Sequence, residues 1–219
     1  MVLANVYVDG LNLYYSALRW RFPDCRWLDV RRLAELLYPS HEIGAVKYFT
    51  SRVASEPDNQ GQHRRQQSYL RALDATGVEV VLGNFQTQTR WMRRERACTT
   101  PGCPTAGPKV RVLYREEKGS DVNLGAHLLL DAFKRTCDFA IVATNDTDLL
   151  APIQIARDDL GLKVGLLATS PRPATRLVSH VHSVKQIRRG SLQAAQLPLT
   201  LSDRRGPIHR PRSWKPEKG

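Results

Sequence analysis

The apolar positions of this chain switch repeatedly between two spacings, and those switches give its elements. Residues 3–8 (LANVYV) form a short β-branched run ending in Asp9-Gly10-Leu11-Asn12. Leu13, Tyr14, Ala17 and Leu18 then recur at helical spacing. Leu28, Val30, Leu33, Leu36 and Leu37 make a helical stripe closed by Pro39, and residues 45–49 read as a second strand. A helix through Tyr69, Leu70 and Leu73, capped by Gly77, leads into a third strand at 78–82. Strand, helix, strand, helix, strand argues for a parallel sheet with right-handed crossovers.

At residues 83–108 the pattern breaks, and no apolar period survives; this predicts an insertion folded as a loop or hairpin. Val110, Val112 and Tyr114 alternate, as in a short strand returning to the domain. Ser120 is placed to N-cap a helix at 122–134, followed by a buried strand at 139–143 and a helix through Leu160 with Gly161 as its cap. Residues 164–167 predict a fifth strand, and 174–181 and 184–187 a last short helix and strand. Beyond Gly190 the pattern fades into a basic tail that contains proline, expected to be disordered when free. The expected organisation is therefore one α/β domain over 1–190, carrying the insertion at 83–108, and a tail at 191–219.

Composition narrows the function. The chain has 219 residues, enough for one full-sized α/β domain plus an extension, and 42% of them are apolar. No run of about 18 apolar residues exists to cross a membrane. The opening MVLANVYVDG enters a strand without the basic start of a signal peptide. Four irregularly spaced cysteines make no disulfide framework, which fits a reducing cytoplasm. Cys98 and Cys103 would need two more ligands to hold structural zinc, and Cys25 and His63 have no motif that recruits them, so zinc is not expected. The formal net charge of +12 at a pI near 10.0 points to a polyanionic partner, since Lys and Arg contacts to phosphate release counterions.

The chemistry gathers at strand ends. AIVATNDTDLL reads as a buried strand that runs into a turn carrying Asp146 and Asp148, at the place where α/β sheets put ligands. Asp9 ends the first strand, Asn12 follows at the helix mouth, and Asp121 lies in the first turn of a later helix. Each alone is explained by turn formation, N-capping or the helix dipole. Together, like charges so close raise one another's pKa and call for a cation. Only oxygen donors lie near these motifs, which favours Mg²⁺ or Mn²⁺ over Zn²⁺. Carboxylates holding such an ion with open water positions are equipment for phosphoryl hydrolysis.

Three blocks, VYVDGLNLYYS, EKGSDVNLGAHLLLDA and FAIVATNDTDLLAPI, resemble in sequence and order the signature blocks of the NYN domain, a branch of the PIN-like nucleases. The resemblance covers roughly residues 3–187. It implies a Rossmann-like, three-layer α/β/α fold with a mainly parallel sheet of order 3-2-1-4-5, and a divalent-metal ribonuclease. It makes Asp9, Asp121, Asp146 and Asp148 the metal-site acids, and Asn12 a polar group orienting a ligand or water. Where the family usually has Ser-Gly-Asp-Ser-Asp, this chain has Thr144-Asn145-Asp146-Thr147-Asp148, keeping both acids and both hydroxyls but replacing the glycine.

RNA, single-stranded, is the expected partner, with self-association left open. Candidate contacts are Lys118, Arg64 and Arg65, and the insertion's Arg90, Trp91, Arg93 and Arg94, where Trp91 either packs onto the domain or stacks on a base. The competing reading is a non-catalytic RNA-binding module that keeps the fold. A phosphatase acting on small phosphoesters fits less well, because Asp9 lacks the acid two residues later that such enzymes use.

Overall fold

The computed structural model describes residues 1–53, 61–98, 102 and 107–214. Its centre is a mixed sheet. Strand β1 (Val2–Asp9) lies between β2 (His41–Ser51) and β5 (Phe139–Thr144), parallel to both. Next to β2 comes β3 (Glu79–Cys98), also parallel, and outside it β4 (Gly107–Lys118), antiparallel. On the other side β6 (Lys163–Ala168) and β7 (Ser183–Gln186) continue in parallel. The order is β4-β3-β2-β1-β5-β6-β7, the five-strand order implied by the resemblance extended by one strand at each edge, both of which the apolar pattern predicted. The extra strands are the one returning from the insertion and the short last one.

Helices cover both faces, so the central strands are apolar on both sides. Ala4, Val6 and Val8 of β1 point into a cluster with α2 (Val30–Leu37) and α3 (Gly61–Ala75), while Tyr7 points into a second with α4 (Ser120–Lys134) and α5 (Leu150–Gln154). This period of two, with both faces buried, is why the strand sequences read as unbroken apolar runs. α1 (Gly10–Leu13) continues as a π-helical turn through Leu18 and also packs on the first face. The described helices include none long and apolar enough to cross a membrane.

Three expectations are corrected. First, the insertion takes the hairpin form of the two expected, but with strands much longer than the short returning strand predicted. β3 pairs with β2 only over residues 79–83, then runs on for another fifteen residues, 84–98, paired with β4 alone. A two-stranded ribbon projecting beyond the sheet has no core face, so its sequence carries no apolar period apart from the short alternation at Val110, Val112 and Tyr114. Second, Gly119, at φ 95°, caps α4, whereas Ser120 is its first residue and turns its hydroxyl to Glu117. Third, the segment after Gly190 is not a free tail. It forms α7 (Arg189–Ala194), a hairpin of β8 (Thr200–Asp203) and β9 (Gly206–His209), and a turn that buries Trp214 against Trp27 and Tyr69. The Trp27 indole donates to the Pro198 carbonyl at 2.8 Å, and Arg71 forms a two-pronged ion pair with Asp203. Residues 215–219 and Cys103 lie outside the described residues, as does any zinc site built on Cys98 and Cys103.

Candidate active site

Successive crossovers carry the chain outward from β1 to β2 and β3, and then back to β5 on the opposite side. The carboxyl ends of β1 and β5 therefore flank a crevice that no crossover covers. Asp9 is the last residue of β1 and is only 3% exposed. One of its oxygens accepts the Asn12 N–H at 2.9 Å, capping α1, and the other accepts the Thr144 hydroxyl at 3.0 Å. Capping and site membership are thus one geometry. The Thr144 oxygen in turn accepts the Asp146 N–H at 3.0 Å, tying the two acids through a single buried hydroxyl.

Asp146 caps the next turn by accepting the Asp148 N–H at 3.0 Å, and Asp148 itself is exposed. Asp121 joins from the first turn of α4. Burial, then the charges of Asp121 and Asp146, push the Asp9 carboxyl up to about 6 against the opposing pull of its two hydrogen bonds. The Asp121 carboxyl is also raised, first by burial and then by Asp146, Glu117 and Asp148. The four predicted acids therefore share one electrostatic site.

Closure around a single point is a stricter condition. Among the described residues, no three His, Cys, Asp or Glu side chains lie close enough to hold one ion together. The donor chemistry still suits a hard divalent cation: carboxylates and hydroxyls, with neither His nor Cys among these residues. Mg²⁺ commonly takes one or two carboxylates and fills its shell with water, so the set fits such an ion with waters completing it.

Asn12 has a scaffolding part. Its Oδ1 accepts the Asn145 N–H at 3.0 Å and the Thr169 hydroxyl at 2.6 Å, so that oxygen ties together the ends of β1, β5 and β6. Asn145, which replaces the usual glycine, accepts the Ala174 N–H and anchors the loop beyond β6. Glu117 was missed by the sequence reading. It accepts from the Ser120 N–H and hydroxyl and from Ser51, fixing the start of α4 and adding charge beside Asp121. Its only sequence signal is an acid three residues before Ser120.

The expected RNA contacts scatter. Lys118 pairs with Asn84 at the ribbon's base, while Arg90, Trp91 and Arg93 lie farther out. Trp91 is 68% exposed, which overturns the expectation that it packs onto the domain. It shares a ribbon face with Arg93, Lys109 and Arg111, whereas Arg90 lies on the opposite face with its guanidinium 4.6 Å from the Tyr114 ring. Arg94 is half-buried. Arg64 and Arg65 start α3, where Arg65 lines a pocket beside Gly10 and Arg64 is exposed.

The family model for the NYN domain matches residues 4–186. The chain belongs to the NYN domain family. That family is nuclease-like and falls with the PIN-like nucleases, whose NYN members act on RNA. One curated relative of this NYN chain carries a different activity in its name. The 6-hydroxy-3-succinoylpyridine 3-monooxygenase HspA of Pseudomonas putida (strain DSM 28022 / S16) is 28% identical over 235 aligned positions, covering 96% of this chain and 74% of that protein. Among solved structures, a protein of unknown function, VPA0982, from Vibrio parahaemolyticus RIMD 2210633 shares the fold at a TM-score of 0.54. It is 16% identical, and the match covers 90% of this chain and 96% of that one.

Proposed function

We propose that this NYN protein is a PIN-like, divalent-metal-dependent ribonuclease that hydrolyses phosphodiester bonds of single-stranded RNA. The observation that carries the reading is the buried Asp9, whose carboxyl is raised to about 6 by burial and by Asp121 and Asp146. A protein gains nothing in stability from gathering acids this way, so the arrangement points to a bound cation. Asp9, Asp121 and Asp146, with Asp148 at the rim, would hold Mg²⁺ or Mn²⁺, which lowers the pKa of bound water and offsets charge on a phosphate. Thr144 holds Asp9 and Asp146 in register, Asn12 locks the three strand ends, and Glu117 fixes Asp121 through α4. Ribbon cations would grip the flanking RNA backbone. Labelled RNA incubated with Mn²⁺, Mg²⁺ or EDTA should be cut only with metal. An Asp146→Asn protein should lose more than the ~10–100-fold that removal of an outer-shell partner costs. Metal-independent RNA binding without cleavage would instead make this a non-catalytic module.

A second reading is favoured by one finding, the oxygenase name of a relative aligned along 96% of the chain. On that reading the protein oxygenates a hydroxypyridine and needs a two-electron donor. Oxygen uptake with 6-hydroxy-3-succinoylpyridine and reduced nicotinamide, beside the RNA assay, separates the two.

A further inference from the structure

A pocket of about 90 Å³ is lined by Gly10 and Leu11 of α1 and by the π-helical turn that follows it. At roughly 10–15 Å³ per water the space has room for several waters, which a flat ring would displace. Its walls are aromatic: Tyr14, Tyr48, Tyr69 and Trp214, with Gly10 and Gln66 completing the lining most relevant here. Tyr48 and Tyr69 pack edge to face at 5.9 Å, and Tyr69 meets Trp214 the same way at 5.8 Å, so the wall is built before any ligand arrives. The Gln66 amide is fixed by the Ser51 carbonyl and the Val53 N–H.

The pocket's position links it to the acids. Gly10 directly follows Asp9, and the Tyr48 ring lies so close to it that an added Cβ would stand 2.4 Å from the ring. Only glycine admits that packing. Thr50, near the carboxyl end of β2, also lines the pocket, so it opens on the edge of the sheet that carries the acids. The Tyr48 hydroxyl is kept protonated first by burial and then by the nearby Asp9 charge.

We propose that this pocket seats one unstacked base of single-stranded RNA, next to the phosphate held at the acids. The inference rests on the ribonuclease reading. Sequence-tolerant binding of single strands works by laying bases on aromatic side chains, and protein recognition of RNA favours splayed, unstacked bases. Arg65 and Arg26, the latter donating to the Leu18 and Arg19 carbonyls, also line the pocket and add positive charge to it, and the whole chain carries +12. Seating a base here fixes which phosphate reaches Asp9, Asp121 and Asp146, and so sets the register of cutting.

The test is binding in EDTA, where no cleavage intervenes. Nucleoside monophosphates, ribose 5-phosphate and a short oligoribonucleotide with and without one abasic position are titrated by calorimetry. Removing the base should weaken binding roughly ten- to a hundredfold. This comparison is made on the unaltered protein, so it does not depend on a variant folding. Tyr14→Ala, at the half-buried side of the pocket, should lose the same factor for mononucleotides. Equal affinity for ribose 5-phosphate and nucleotides, or no effect of Tyr14→Ala, overturns the pocket. So does tight binding of 2-hydroxypyridine without any nucleotide binding, which would favour the oxygenase reading. Base-dependent binding through Tyr14 in a protein that never cuts RNA with Mn²⁺ would keep the pocket and sink the ribonuclease.

Discussion

The ribbon at 84–118 and the segment at 191–214 are alike in sequence and opposite in structure. Both are rich in arginine, both lack a sustained apolar period, and each carries one tryptophan. The ribbon's Trp91 is 68% exposed, and the later segment's Trp214 only 7%. A few anchors make the difference. The later segment has Ile208, Leu197 and Trp214 to place in a core that already offers Trp27 and Tyr69, and an ion pair from Asp203 to Arg71. Nothing comparable receives the ribbon, whose strands pair only with each other beyond Gly83. Basic charge without periodicity therefore does not mean disorder; what decides is whether scattered apolar residues find a cavity waiting for them.

Four measurements press on that contrast. Trp214→Ala should cost about 3–5 kcal/mol of stability, the usual toll for deleting a core tryptophan, read as a shift in urea midpoint. A loss below about 1 kcal/mol would return the segment to the status of a loose tail. Asp9, outside both segments, gives a yardstick. Its folded pKa is raised above the ordinary 3.8 to about 6, so in the metal-free protein its own contribution to stability is full only below about pH 4. Stability should then fall as pH rises through 6, by at most about 3 kcal/mol. Asp9→Asn should flatten that slope, leaving the smaller share due to Asp121; an unchanged pH profile would break the electrostatic site.

Trp91→Ala should weaken single-stranded RNA binding by about tenfold and leave the melting temperature nearly untouched. A large drop in melting temperature with unaltered affinity would put Trp91 in a core. The smallest effect concerns Arg93 and Lys109, like charges directly opposed across the ribbon. Lys109→Glu should stabilise the ribbon by about 0.2–1 kcal/mol, while lowering the salt slope of RNA binding by roughly one or two units. Equal salt slopes for variant and parent would mean the ribbon does not touch phosphate.

These regions also mark how far the sequence could be read. The strands around β1 were legible because burial on both faces leaves uninterrupted apolar runs, and Asp9, Asp146 and Asp121 stood out because each punctuates such a run. The ribbon was legible only in part, as a hairpin with an alternation at Val110, Val112 and Tyr114, because most of a two-stranded ribbon without a core face has no reason to alternate. Asn12 was found but its part was not: that Oδ1 binds Thr169, 157 residues away, is a fact of topology. The aromatic pocket was invisible for the same reason, for Tyr14, Tyr48, Tyr69 and Trp214 come from four separate elements.

The packing of Trp214 has a consequence for the order in which the molecule can form. The face under α4 and α5 is completed by residues up to Val181. The opposite face needs Leu197, Ile208 and Trp214, and its Trp27 waits for Pro198, 171 positions later in the chain. Closures across such separations are slow. During refolding, one side of the sheet can be dry while the other still shows Trp27, Leu28 and Tyr69 to water. A chain with one side sealed and one side open would expose an apolar surface that favours aggregation until the last hairpin docks.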